Sequence, residues 1–144
     1  MSAQVLVVDD DPAVRTLLSL GLKHAGLAVD LASNGAQALE RIRDHDYAVV
    51  LLDCMMPVMS GFEAVERIAE LPVRPVVIVL TAMSETAPLH LDSSVVTAVI
   101  RKPFDLWSIV EIVKETVAAM RGRDSLDEGA PGGERDRGDN TQVC

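Results

Sequence analysis

At 144 residues the chain has room for one domain with a real core and no second module of any size, and with 49% apolar but only 3% aromatic residues that core must be aliphatic. The formal net charge of -9, from 13 Lys and Arg against 22 Asp and Glu, argues against direct nucleic-acid binding and attachment to anionic membranes, leaving proteins and cations as expected partners. No apolar stretch approaches a membrane span and the first residues lack the pattern of a signal peptide, so a cytoplasmic protein without membrane insertion is expected.

The chain alternates between two periodicities. "QVLVV" (4 to 8) reads as a strand; "DPAVRTLLSLGLKHAG" follows as a helix, with Val14, Leu17, Leu18 and Leu22 at helical spacing, Pro12 in the first turn and Gly26 as a stop. "LAVDLA" (27 to 32) is a second strand and "NGAQALERIRDHD" a second helix, with Leu39 and Ile42 inward. Val49, Val50, Leu51 and Leu52 form a third strand that is apolar on both faces and ends on Asp53. A loop with Pro57 and Gly61 leads to a third helix, "FEAVERIAEL", and then to "VVIVL" (76 to 80), a fourth strand apolar on both faces. "TAVIR" (97 to 101) is a fifth strand and "DLWSIVEIVKETVAAM" (105 to 120) a last helix, with Ile109, Val110, Val113 and Val117 on one face. Rhythm places a helix within 83 to 96 as well, which Pro88 and the serine pair shorten or distort.

Such alternation implies right-handed crossovers and a parallel sheet covered by helices on both faces. From residue 121 the composition turns to Gly, Asp, Arg and Pro, so 1 to 120 are expected to form the domain and 121 to 144 a disordered acidic, Gly-rich tail.

In a parallel sheet all carboxyl ends lie along one edge. There the strands deliver Asp9, Asp10 and Asp11, then Asp53, Thr81 and Lys102, the last followed by Pro103. Carboxylates about 5 Å apart repel by about 3 kcal/mol per pair at an effective dielectric near 20, so a cation is needed to keep them ionised together. Mg²⁺ is the natural guest, on Asp9 or Asp10 together with Asp53. With Lys102 the crevice is close to neutral and suited to receive a phosphoryl group, Asp53 being the candidate nucleophile.

The runs "VLVVDDDPAVR", "VVLLDCMMPVMSG", "VLTA" and "RKPF", over roughly residues 3 to 120, resemble the receiver domain of bacterial two-component response regulators, of the stand-alone type. The resemblance implies a flavodoxin-like doubly wound α/β fold, a five-stranded parallel sheet in the order 2-1-3-4-5 with helices on both faces. It implies phosphorylation of Asp53 by a sensor histidine kinase or phosphotransfer protein, with Mg²⁺ held by Asp9, Asp10, Asp53 and the backbone carbonyl of Met55. It further implies that Lys102 pairs with the phosphoryl group, commonly through a cis Lys102-Pro103 bond, and that Thr81 swings inward to hydrogen-bond it. Such a chain is a signalling domain rather than an enzyme. It catalyses only its own phosphoryl transfer and slow self-dephosphorylation, and it switches a surface read by a downstream protein.

Three features depart from the family pattern: Val99 stands where an aromatic or His is usual, "HLDSSVVTAVI" replaces the usual Gly-Ala approach to the fifth strand, and no effector domain follows in the sequence. Val99 keeps open a phosphorylation-independent protein-binding module. A haloacid-dehalogenase-type phosphatase is the weaker rival, since its general acid would stand where this chain has Met55.

Blander roles are weighed residue by residue. Asp11 is expected to cap the first helix, Cys54 to be a partly buried thiol with no basic neighbour, and Met55, Met56 and Met59 to pack a loop. His24, His45 and His90 are read as solvated and Trp107 as anchored in the core. Cys54 and Cys144 make neither a disulfide framework nor a zinc pair.

Overall fold

A computed structural model describes residues 4–54, 59–72, 74–82 and 94–127. Among the described residues nine elements follow one another: β1 Val5–Val8, α1 Pro12–His24, β2 Val29–Ala32, α2 Gly35–Asp44, β3 Val49–Asp53, α3 Gly61–Ala69, β4 Val76–Thr81, β5 Val96–Arg101 and α4 Leu106–Asp127. The strands form one sheet in the order β2-β1-β3-β4-β5, with every neighbouring pair parallel. This is the flavodoxin-like order expected from the sequence.

The central strands are apolar on both faces because both faces are covered. Leu6, Val8, Val50, Leu52, Val77 and Val79 pack with Ala38, Leu39 and Ile42 of α2 and Ala64, Val65 and Ile68 of α3. Val5, Val7, Val49, Leu51, Ile78 and Leu80 point the other way, to Leu18 and Leu22 of α1 and to Ile109, Val110, Val113 and Val117 of α4. Full burial of each such side chain is worth about 1.5–3 kcal/mol, which makes the sheet a rigid platform for whatever stands at its edge. Gly21 lets α1 approach α4 closely, since a Cβ there would lie 3.1 Å from both Leu106 and Val110 side chains.

Each helix start is fixed by a side-chain cap. Asp11 accepts from the Ala13 N–H at 2.9 Å, Asn34 from Gln37 at 2.9 Å, Ser60 from Glu63 at 3.2 Å and Asp105 from Ser108 at 3.1 Å. Gln37 returns the favour by accepting the Ser33 N–H at 2.9 Å. α1 stops at Gly26, whose φ of 92° is the left-handed value glycine adopts without strain.

The structure departs from the sequence reading at several points. The last helix runs to Asp127, seven residues past its expected end, while 128–144 lie outside the described residues. So do 83–93, which hold most of the segment where a further helix was expected. Gly61, read as loop, is the first residue of α3. Leu17, placed among the apolar helical positions, is 46% exposed, and Trp107, read as a core anchor, is 54% exposed with its ring edge-on to His24 at 5.9 Å. The α1–α4 seam is already filled by Leu18, Leu22, Ile109 and Val110, and Trp107 lies outside it.

Candidate functional site

The four strand ends converge as the sequence suggests. β1 delivers Asp9, 1% exposed, immediately before Asp10 and the Asp11 cap; β3 delivers Asp53, 4% exposed; β4 delivers Thr81, fully buried; and Lys102 follows β5. Asp9, Asp10 and Asp53 each bring an oxygen into one group whose members all lie within 4.8 Å of one another. The Lys102 Nζ lies 3.3 Å from Asp9 Oδ2 and 3.8 Å from Asp53 Oδ1, spanning 93 positions of sequence in the first contact. The Lys102-Pro103 peptide is cis, and the Lys102 N–H donates to the Thr81 carbonyl at 2.6 Å. Met55, whose carbonyl the resemblance implied as a further ligand, lies outside the described residues.

Two devices fix the acidic edge. Asp9 accepts the Asp11 N–H on Oδ1 at 2.9 Å, and its carbonyl accepts Arg15 Nη1 at 2.7 Å, so the β1–α1 turn is tied down from within its own first helical turn. At β3, the Gly61 N–H donates to the Cys54 carbonyl at 2.9 Å. A Cβ on Gly61 would come within 2.7 Å of Cys54 Cα, so only glycine lets α3 press against the strand end that carries Asp53. Arg15 and Gly61 were missed as supporting residues, because a side chain serving a backbone carbonyl and a glycine admitting a close approach leave no periodic signal. The N-terminal Gly of α3 after a Ser cap was the available clue to the second.

Cys54 is fully buried rather than partly so, and burial pushes its thiol pKa up. A hydrogen bond from Thr81 and the charge of Lys102 work against that rise, whereas the charge of Asp53 adds to it. Lys102 is thus the basic neighbour not foreseen for Cys54, but desolvation outweighs it. Met59 packs partly buried beside α2 and α3, and its carbonyl accepts the Gly35 N–H at 3.2 Å. His24 and His45 are exposed and stand against the rings of Trp107 and Tyr47, respectively, each with centroids 5.9 Å apart.

The donor set is all oxygen, crowded and anionic, and reachable through exposed Asp10. That chemistry fits a hard divalent cation of the Mg²⁺ type, which keeps water and substrate oxygens among its ligands. A single ammonium cannot offset three carboxylates, so the cluster retains a net attraction for a dication. A carboxylate held beside an ammonium and a hydroxyl at a rigid sheet edge has the parts needed for an in-line attack on phosphorus.

Comparison with known proteins agrees with this fold. The model of the response regulator receiver domain matches residues 5–114. The chain is 32% identical over 114 residues to the transcriptional regulatory protein SrrA of Staphylococcus aureus, covering 79% of this chain and 47% of that protein. It thus spans about half the length of the curated relatives it matches. Among solved structures, the response regulator protein TrrA from Thermotoga maritima, in complex with Mg²⁺ and BeF, aligns at a TM-score of 0.69 and 35% identity, covering 78% of this chain and 96% of that one. A CheY-like receiver domain from Methanospirillum hungatei shares the fold at a TM-score of 0.72 and 24% identity, covering 85% of this chain and 99% of that one. The chain belongs to the response regulator receiver domain family of two-component systems. No helix among the described residues is long and apolar enough to cross a membrane.

Proposed function

We propose that this receiver accepts a phosphoryl group on Asp53 from a histidine kinase or phosphotransfer protein in the cytoplasm, and that the modification switches a surface read by another protein. The observation that carries the reading is the placement of Asp53: buried at the end of β3, 3.8 Å from the Lys102 ammonium and within one 4.8 Å group with Asp9 and Asp10.

In the proposed reaction an Asp53 carboxylate oxygen attacks phosphorus while the P–N bond to the donor imidazole breaks. The bonding pair leaves with the imidazole nitrogen, and the imidazole departs neutral because its other nitrogen carries a proton. Asp9, Asp10, Asp53 and the Met55 carbonyl would hold Mg²⁺, which when bound supplies positive charge to the transferring oxygens. Lys102, already beside both buried acids, follows the charge from carboxylate to phosphoryl oxygen. The Thr81 hydroxyl then donates to a phosphoryl oxygen, and the rearrangement favours one of two surface states. Water slowly hydrolyses the acyl phosphate and resets the switch.

Intact-mass spectrometry after incubation with a small-molecule phosphodonor tests this. One added phosphoryl group that requires Mg²⁺ and is lost in Asp53→Asn supports it; an unmodified chain, where another receiver is modified in parallel, points to the phosphorylation-independent binding module.

A further inference from the structure

Arg15 stands where a helix gains least from a cation. It closes the first turn of α1, at the positive end of the helix dipole, yet it is partly buried rather than turned out to solvent. Two bonds that run back along the chain account for its place. The Arg15 backbone N–H donates to the Asp11 carbonyl at 3.0 Å, and Arg15 Nη1 donates to the Asp9 carbonyl at 2.7 Å. The residue bracketed between those two carbonyls is Asp10.

Asp10 differs from its neighbours in how it is held. Asp9 is engaged at every polar atom: its N–H donates to the Ala32 carbonyl at 3.2 Å, its carbonyl accepts from Arg15, its Oδ1 accepts the Asp11 N–H at 2.9 Å, and its Oδ2 lies 3.3 Å from Lys102 Nζ. Asp11 is committed to capping α1 through its side chain. Asp10 is exposed, and among the described residues no hydrogen bond or ion pair fixes its carboxylate, although that carboxylate belongs to the group lying within 4.8 Å. Its direction is therefore set by the backbone of the Asp9–Asp11 turn, which Arg15 spans.

We infer that Arg15 is a positioning residue for metal binding: by bracketing Asp10 it keeps that carboxylate beside those of Asp9 and Asp53, in the arrangement a divalent cation needs. This rests on the reading of the three acids as a Mg²⁺ site. The inference carries a sign that charge alone would not give. A guanidinium near an anionic cluster repels a dication, so as a bare charge Arg15 would weaken metal binding. As a brace it strengthens binding, because the turn is already ordered when the ion arrives.

The test is calorimetric titration of the full chain with Mg²⁺ alone. It is run at a temperature where circular dichroism shows every variant folded, so that a mere loss of stability leaves the dissociation constant unchanged. Arg15→Met, which keeps the bulk of the side chain without its donors or charge, is expected to weaken binding by about 3- to 10-fold, the worth of one hydrogen bond. Arg15→Lys, which keeps a charge and a donor but not the planar fork, is expected to fall between Arg15→Met and wild type. The loss in Arg15→Met should persist at high salt, where a contribution from charge alone is screened. Affinity that is unchanged or tighter in Arg15→Met, or a loss that Arg15→Lys does not relieve, overturns the inference while leaving the metal reading intact. Absence of Mg²⁺ binding by the wild-type chain overturns both.

Discussion

Lys102 reaches across 93 positions of sequence to lie 3.3 Å from Asp9, a carboxylate only 1% exposed. The ammonium offsets part of the negative charge of the two buried acids, Asp9 and Asp53. Lys102→Met leaves Asp9 buried without this partner; removing one member of a buried pair costs about 3–5 kcal/mol, and the partial exposure of the lysine brings the expected loss to about 2 kcal/mol in chelator. Added Mg²⁺ should then stabilise the variant more than it stabilises wild type. Thermal melts of both chains with chelator and with Mg²⁺ check the two halves separately.

Gly61→Ala tests whether α3 sets the position of Asp53. The new methyl would lie 2.7 Å from Cys54 Cα, so either the helix start or the strand end must give. Overpacking of this kind costs about 1–3 kcal/mol. Because the clash falls on the Asp53 carbonyl as well as on Cys54, phosphoryl uptake should fall by more than the folded fraction does. Equal losses in a urea titration and a phosphorylation assay would show that the glycine matters for packing alone.

Far from the acidic edge, the Tyr47 hydroxyl donates to Asp30 Oδ2 at 2.6 Å, and burial, followed by the hydrogen bond and charge of Asp30, raises its pKa well above the usual value near 10. The phenol is neutral in both folded and unfolded chains below pH ~10, where the stabilising effect is fully present. Above that the unfolded chain loses its proton first, so stability falls as pH rises through the raised folded value. Tyr47→Phe should cost about 1–2 kcal/mol at neutral pH and flatten the alkaline decline. Tyr47 is the single tyrosine, so tyrosinate absorbance in the folded chain reports this group alone.

Trp107→Ala should cost less than about 1 kcal/mol, since the indole is 54% exposed and its ring stands edge-on to that of His24. A loss of 3 kcal/mol or more, the order expected for a buried Trp, would restore the core assignment made from sequence. Urea unfolding followed by circular dichroism distinguishes the two.

Much of the fold was legible because burial on both faces leaves an unmistakable run such as Val49 to Leu52, and because a cap such as Asp11 combines a known residue type with a known place. Site residues were legible for a related reason: in a parallel sheet, strand ends meet by topology, so Asp9, Asp53, Thr81 and Lys102 can be brought together on paper. Contacts set by side-chain direction were not. Nothing in spacing tells that Arg15 bends back to the Asp9 carbonyl, that Tyr47 finds Asp30, or that Trp107 turns away from a seam already filled by Leu18 and Val110. The end of α4 was misplaced because the composition turns to Gly, Asp, Arg and Pro from residue 121. Arginine and leucine are good helix formers, and one glycine costs only about 1 kcal/mol, so the backbone continues to Asp127.

The measurement that bears most directly on the central claim is reductive trapping. An aspartyl phosphate is an acyl phosphate, which borohydride reduces to homoserine at the modified position, and peptide mapping then reads the position itself. After treatment with phosphodonor and Mg²⁺, homoserine should appear at position 53 and nowhere else, and should be absent when chelator replaces the metal. Homoserine at Asp9 or Asp10, or none at all while a reference receiver is trapped in parallel, would contradict the account.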